Sequence, residues 1–195
     1  MINLFKLVVL IFFSVSYAYN DVFSFTKNYD GEKVNLKHEP IIFEIAEYSR
    51  LAKEGRDHTT ELGLPEMPIF STFYMLDPAK IYEYKFEIID SYTIENIKIL
   101  PHQGMKEWQV NDVEIINEDF YFSNQSYPLE NIIISDRIQG RGIEFVNMQI
   151  IPYKYYPESN KLIVYTDVDI KINEIGFKNN YDLVQSRRSH IFDTF

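Results

Sequence analysis

The 195-residue chain contains no cysteine. That excludes disulfides, thiolate zinc sites and any cysteine nucleophile carried on these residues. Positive charge is also scarce. Nineteen Lys and Arg face 29 Asp and Glu, a formal net charge of -10. An acidic surface argues against nucleic acid, whose phosphates need a basic footprint. It permits a basic protein partner. Also missing are a G-x-S-x-G elbow, a P-loop, a dinucleotide fingerprint, a fixed-period repeat and any low-complexity segment. The longest apolar stretch, Leu7 to Val15, is too short to span a bilayer comfortably.

Aromatic residues are abundant: 15 Tyr and 15 Phe. With many isoleucines, they suit pleated, half-buried surfaces and point to an all-β fold. The N-terminus has the parts of an export signal. Lys6 supplies a positive charge, Leu7 to Val15 an apolar run, and Ser16-Tyr17-Ala18 small residues at the cleavage positions. Residues 1–18 are therefore read as a signal peptide. Its removal takes away one Lys, moving the charge from -10 to -11, and leaves no stable membrane span.

The stretch from Arg141 to Asn173 organises the rest. Ile143, Phe145, Asn147, Gln149 and Ile151 fall on one face of a strand, with Glu144, Val146, Met148 and Ile150 on the other. Apolar residues on both faces predict burial on two sides. Pro152 ends the strand, and Tyr156 to Lys161 is a turn built on Pro157, Ser159 and Asn160. A second strand follows, with Leu162, Val164, Thr166, Val168, Ile170 and Ile172 on its inner face. Upstream, Val22 to Phe25 predicts an edge strand and Asn28 to Gly31 a turn. Ile41, Phe43 and Ile45 predict a strand followed by an irregular turn, and residues 53–68 a loop. Ile69 to Leu76 reads as a core strand. Tyr82, Tyr84, Phe86 and Ile88 alternate with charges, and Thr93 to Leu100 reads as the next strand. Residues 101–118, with Trp108, form a connection. Phe120 to Phe122 and Asn131 to Ser135 read as short strands around Tyr127-Pro128. This pattern predicts an antiparallel β-sandwich, jelly-roll-like, over residues 19–176, and a polar tail over 177–195.

Three segments resemble the propeptide of gingipain-type cysteine endopeptidases. The first is Gly63-Leu64-Pro65-Glu66-Met67-Pro68 leading into a strand, similar to the family's G-x-P-x-L-P, with Met67 where Leu is usual. The second is Tyr127-Pro128 and then Arg141-Gly142 before a hydrophobic strand. The third and most specific runs from Ile151-Pro152 through Tyr156-Pro157 to Leu162 and Tyr165, similar to P-x-x-Y-x-P-x-x-x-x-L-x-V-Y. Together they span about residues 60–175. The resemblance implies an all-β prodomain that is not itself catalytic. It implies a cognate cysteine peptidase domain as partner, kept latent and assisted in folding. It also implies a bacterial protein exported to the periplasm or beyond, by the type IX route. The tail would lead towards a peptidase domain absent from this chain, so the chain reads as a truncated precursor or a free-standing inhibitor. The rival reading is an extracellular β-sandwich binding or adhesion module.

Candidate functional residues are few. His38, His58, His102 and His190 lie in loops and the tail, with no pair at helical ligand spacing, so no metal or cofactor motif emerges. Asp112, Glu114, Glu118 and Asp119 are close in sequence but match no calcium loop. A latency domain places a segment in the enzyme's cleft. Arg56, Arg137 and Arg141 are the basic candidates, the last two bracketing Ile138-Gln139-Gly140, read as a turn. A guanidinium forks onto a carboxylate at a pocket floor. Against this, Arg141 is also explained as a strand-end residue. Arg187-Arg188, in the polar tail, is a candidate processing site.

Overall fold

A computed structural model describes residues 22–28, 31–52, 56–104, 113, 115–140 and 143–178. The signal-peptide region, Trp108, Asp112, Glu114, Arg141, Arg187 and Arg188 lie outside the described residues.

Two five-stranded antiparallel sheets carry the fold. The first is centred on β12 (Lys161–Phe177), the longest strand. One edge of β12 pairs along its length with β7 (Lys80–Ile94). Its other edge is shared: β11 (Tyr153–Tyr156) takes the first part and β2 (Gly31–Lys37) the second, with β1 (Phe23–Asn28) outside β2. The second sheet is centred on β10 (Ile143–Ile150). Strand β6 (Pro68–Leu76) lies on one side of it, and β8 (Ile132–Ile134) and β9 (Ile138–Gly140) share the other. A short β5 (Asp57–His58) pairs with the start of β6. The hairpin β3 (Ile42–Ile45) with β4 (Tyr48–Leu51) stands apart.

One apolar core lies between the sheets. Val34, Leu36, Leu162, Val164, Val168, Ile170 and Ile172 come from the first sheet, and Phe70, Leu76, Val146, Met148 and Ile150 from the second. The clean alternation of β12 produces this, since a period of two puts every second side chain inward. A bulge between Val164 and Asp167 interrupts its register with β7.

Several expectations change, among them the loop over residues 53–68, which contains β5. Strand β10 is buried on one face only. Glu144, Val146, Met148 and Ile150 face the core, while Ile143, Phe145, Asn147 and Gln149 are half-buried on the outside. Residues 80–94 form one continuous strand, so Thr93 belongs to β7 and no separate strand starts there. The chain turns at Asn96 (φ 58°) and Ile97 to Leu100 runs as bridging backbone. Phe120 lies in a single helical turn, α1 (Glu118–Tyr121), because the Asn117 side chain accepts the Phe120 N–H at 3.0 Å and caps it. Residues 48–51 are a strand, the hairpin turning at Ala46 (φ 53°). Finally, Ile138–Gly140 is a strand rather than a turn.

Candidate functional site

The arginines separate once placed. Arg137 lies at the foot of β9 and points into the sandwich edge. It donates to Glu144 Oε2 at 2.8 Å and to the Lys80 carbonyl at 2.6 Å, and its guanidinium sits 5.8 Å from the Tyr82 ring centroid. Lys80 and Tyr82 belong to β7, so Arg137 ties the second sheet to the first. Arg56 lies over the Phe70 ring at 4.4 Å. Arg141 and Gly142 follow Gly140, the last residue of β9, in the sequence and lie outside the described residues. Strand β12 runs through Phe177, and Lys178 N–H donates to the Ala79 carbonyl at 2.8 Å.

Glu144 is the charge that this clasp serves. It is 3% exposed and accepts from Arg137, from Gln139 at 2.6 Å and from Lys178 at 3.0 Å. Burial by itself raises its pKa. The hydrogen bonds from Arg137, Gln139 and Lys178 outweigh that and hold the carboxyl at about 2, below its ordinary 4.5. A depressed folded value gives stability that is complete above the unfolded pKa and is lost as the folded one is approached. The window therefore runs from about pH 4.5 down to about 2. The Glu144→Gln variant is expected to be less stable than wild type at neutral pH but to lose less over that window. Urea midpoints measured through it check the sign.

The outer face of the second sheet carries rows of exposed apolar side chains. Met75, Phe145 and Ile138 pair across three strands and form one row. Phe73 is the next outward residue along β6 and packs edge-on against Phe145, centroids 5.5 Å apart. Ser71, Gln149 and Ile133 form a third row. Phe73 is 63% and Met75 68% exposed. Adjacent large apolar residues left in water along one sheet face mark an interaction surface rather than scattered exposure. The sequence carried this signal only ambiguously, because apolar residues on both faces of β10 also fit a strand covered twice.

The histidines also separate. His38 is buried, its Nε2 2.9 Å from the Tyr165 carbonyl and its ring against Phe70 and Tyr153. His58 and His102, far apart in sequence, come together around Glu66, their ring centroids 5.1 Å apart. Beside them lies a cavity of about 660 Å³ lined by His58, Glu61, Leu64, Tyr127 and Leu129 among others. Backbone pairing makes this cluster. Glu66 N–H donates to the Leu100 carbonyl and His102 N–H to the Leu64 carbonyl, both at 2.8 Å. Gly63 (φ 75°) permits the approach of residue 117, since a Cβ there would stand 2.6 Å from the Asn117 nitrogen.

Comparison with known proteins places this architecture. Gingipain R1 of Porphyromonas gingivalis is 25% identical over 119 residues, which is 59% of this chain and 12% of that protein. The chain thus spans a small part of the curated relative it matches. One chain in the complex of P. gingivalis RgpB pro- and mature domains superposes with a TM-score of 0.66. It is 17% identical, with 89% of this chain and 94% of that one covered. A structure describing the zymogenic latency of P. gingivalis gingipain K superposes at 0.55, also at 17% identity, covering 77% of this chain and 92% of that one. Both share the β-sandwich fold. The Propeptide_C25 family model matches residues 31–194, nearly the whole sandwich and tail, and the chain belongs to that family.

Proposed function

We propose that this chain is the prodomain of a gingipain-like cysteine endopeptidase and holds that peptidase latent by binding its mature domain. Membership of the propeptide family carries the reading. The superposable fold within a complex of pro- and mature domains supports it. The exposed apolar rows on β6, β9 and β10 give the partner a surface to cover. Burying Phe73, Met75, Ile138 and Phe145 removes apolar area from water, the main favourable term in association. Arg141, between β9 and β10 in the sequence, is the basic side chain proposed to meet the peptidase. Arg137 holds the base of that hairpin through Glu144. The catalytic work belongs to the partner, since no cysteine nucleophile exists here.

In the same reading, residues 1–18 direct export, and the type IX route completes it. No helix among the described residues is long and apolar enough to cross a membrane. The sandwich spans about residues 19–176 with the short extension to Lys178, and Arg187-Arg188 in the tail is the processing site. Mass spectrometry of the exported precursor is expected to find a start at Tyr19 or close to it and a cut directly after Arg188. A product ending far from this pair removes the processing assignment. For the function itself, the purified chain is titrated into its cognate peptidase domain and residual peptide hydrolysis is followed.

A further inference from the structure

We infer that His58, Glu66 and His102 form a binding site for a late divalent metal ion of the zinc class, bracing three backbone segments of the domain. Among the described residues this is the one group of three such side chains whose donor atoms all lie within 4.8 Å of one another. Glu66 Oε2 lies 3.0 Å from His102 Nδ1 and 4.0 Å from His58 Nε2. Zinc bound to His N and carboxylate O at about 2.0–2.2 Å keeps its ligands about 3.4 Å apart. Glu66 and His102 already stand near that spacing, and a rotation of the half-buried His58 side chain that closes its gap by about 1 Å brings all three onto one ion.

The surroundings fit a metal better than a chance cluster. Glu66 is 2% and His102 6% exposed, and a carboxylate this deeply buried has to be paired. Glu66 Oε1 is held by Arg50, through Nε at 3.2 Å and Nη2 at 3.0 Å. That leaves Oε2 directed at the histidines, the role of an outer partner that orients a ligand carboxylate. The backbone is fixed too. Thr59 Oγ1 donates to the Pro65 carbonyl at 2.8 Å and accepts from Met67 N–H at 3.0 Å, locking the residues that follow His58 and flank Glu66. His58 lines the cavity described above, which gives an ion an entry path and room for water as a further ligand. Two imidazoles with one carboxylate select zinc, cobalt or nickel over calcium or magnesium, which take oxygen donors.

The ion would join β5, the run into β6 and the Leu100 to Gln103 segment. Gln103 in turn clasps Ile115, donating to its carbonyl at 2.9 Å and accepting its N–H at 3.0 Å. The site therefore braces the base of the connection between residues 103 and 115. In a chain without cysteine, it supplies a cross-link that a disulfide would otherwise supply.

The test is zinc titration of the full chain, first stripped with chelator, followed by calorimetry and by thermal unfolding. One ion per chain and a melting temperature that climbs with zinc concentration are expected. Cobalt should give the visible absorption of a low-coordinate N/O site. His58→Ala, at the half-buried edge, and Glu66→Gln each remove a ligand and are expected to weaken binding by at least about 100-fold, more than the loss of an outer partner such as Arg50 would. The His58→Ala protein should keep the metal-free melting behaviour of the parent, separating lost binding from lost folding. Absence of saturable binding at millimolar zinc overturns the inference. So does an equal affinity in parent and His58→Ala. Neither result bears on peptidase inhibition, which is read in a separate assay.

Discussion

Replacing Ile170 by alanine is expected to lower the unfolding free energy by about 3–4 kcal/mol, within the usual range for deleting a buried branched side chain. Ile170 is fully buried in the middle of β12. It pairs with Val34 on β2 and Phe86 on β7, and it belongs to the same core as Val146 and Met148 from the opposite sheet. Both sheets therefore lose contacts at once, and neither can move in without breaking the ladder of the other edge. No disulfide limits the unfolded chain, so the core alone must offset the chain's conformational entropy. A loss of this size is a large fraction of the stability of any ordinary domain. Lys171→Ala is the control. Lys171 is the exposed neighbour on the same strand, and its change is expected to stay within about 0.5 kcal/mol. Urea unfolding read by tyrosine fluorescence measures both. A loss below about 1 kcal/mol for Ile170→Ala would mean that β12 does not centre the core.

The second large effect is on inhibition. Phe73→Glu combined with Met75→Glu is expected to weaken inhibition of the cognate peptidase by at least about 100-fold, equivalent to removing one or two central contacts from an interface. Both side chains are already mostly in water, so folding has little to lose by the exchange. The aromatic contact of Phe73 with Phe145 is the exception, worth about 1 kcal/mol. Loss of inhibition with a preserved urea midpoint is the expected combination. Equal inhibition by the double variant would move the docking surface elsewhere, to the Arg141 hairpin or to the loops around Leu129. The charge change is a second handle. An acidic residue on this face repels an acidic partner and attracts a basic one, so Phe73→Ala and Phe73→Lys separate lost area from new charge.

The strands that build the core were legible because alternation is a local signal. Strands β10 and β12 follow from period two in their own residues and β6 from its continuous apolar run, and Pro152 and Pro157 mark the bends after β10 and before β12. What failed was local for another reason. Asp90, Ser91 and Thr93 are polar, yet they continue β7, since an exposed strand tolerates polar residues on both faces. Phe120 to Phe122 has strand-like composition, but one capping side chain, Asn117, decides for a helical turn. The site was less legible still. Arg137 was visible as a basic residue but not as the partner of Glu144, because the clasp depends on β9 pairing with β10 and on β7 passing alongside. His58, Glu66 and His102 show no ligand spacing, because the sheet edge and the Pro65–Pro101 bridge bring them together. The family resemblance reached the fold and the role through its proline and tyrosine pattern. It did not reach either cluster.

Titration of the purified chain into its active cognate peptidase tests the account most directly. Hydrolysis of a peptide substrate is expected to fall to near zero as the chain reaches one equivalent, and to return when the chain is cut by added protease. Turnover that stays unchanged at saturating chain, with the β-sandwich verified as folded, would contradict it.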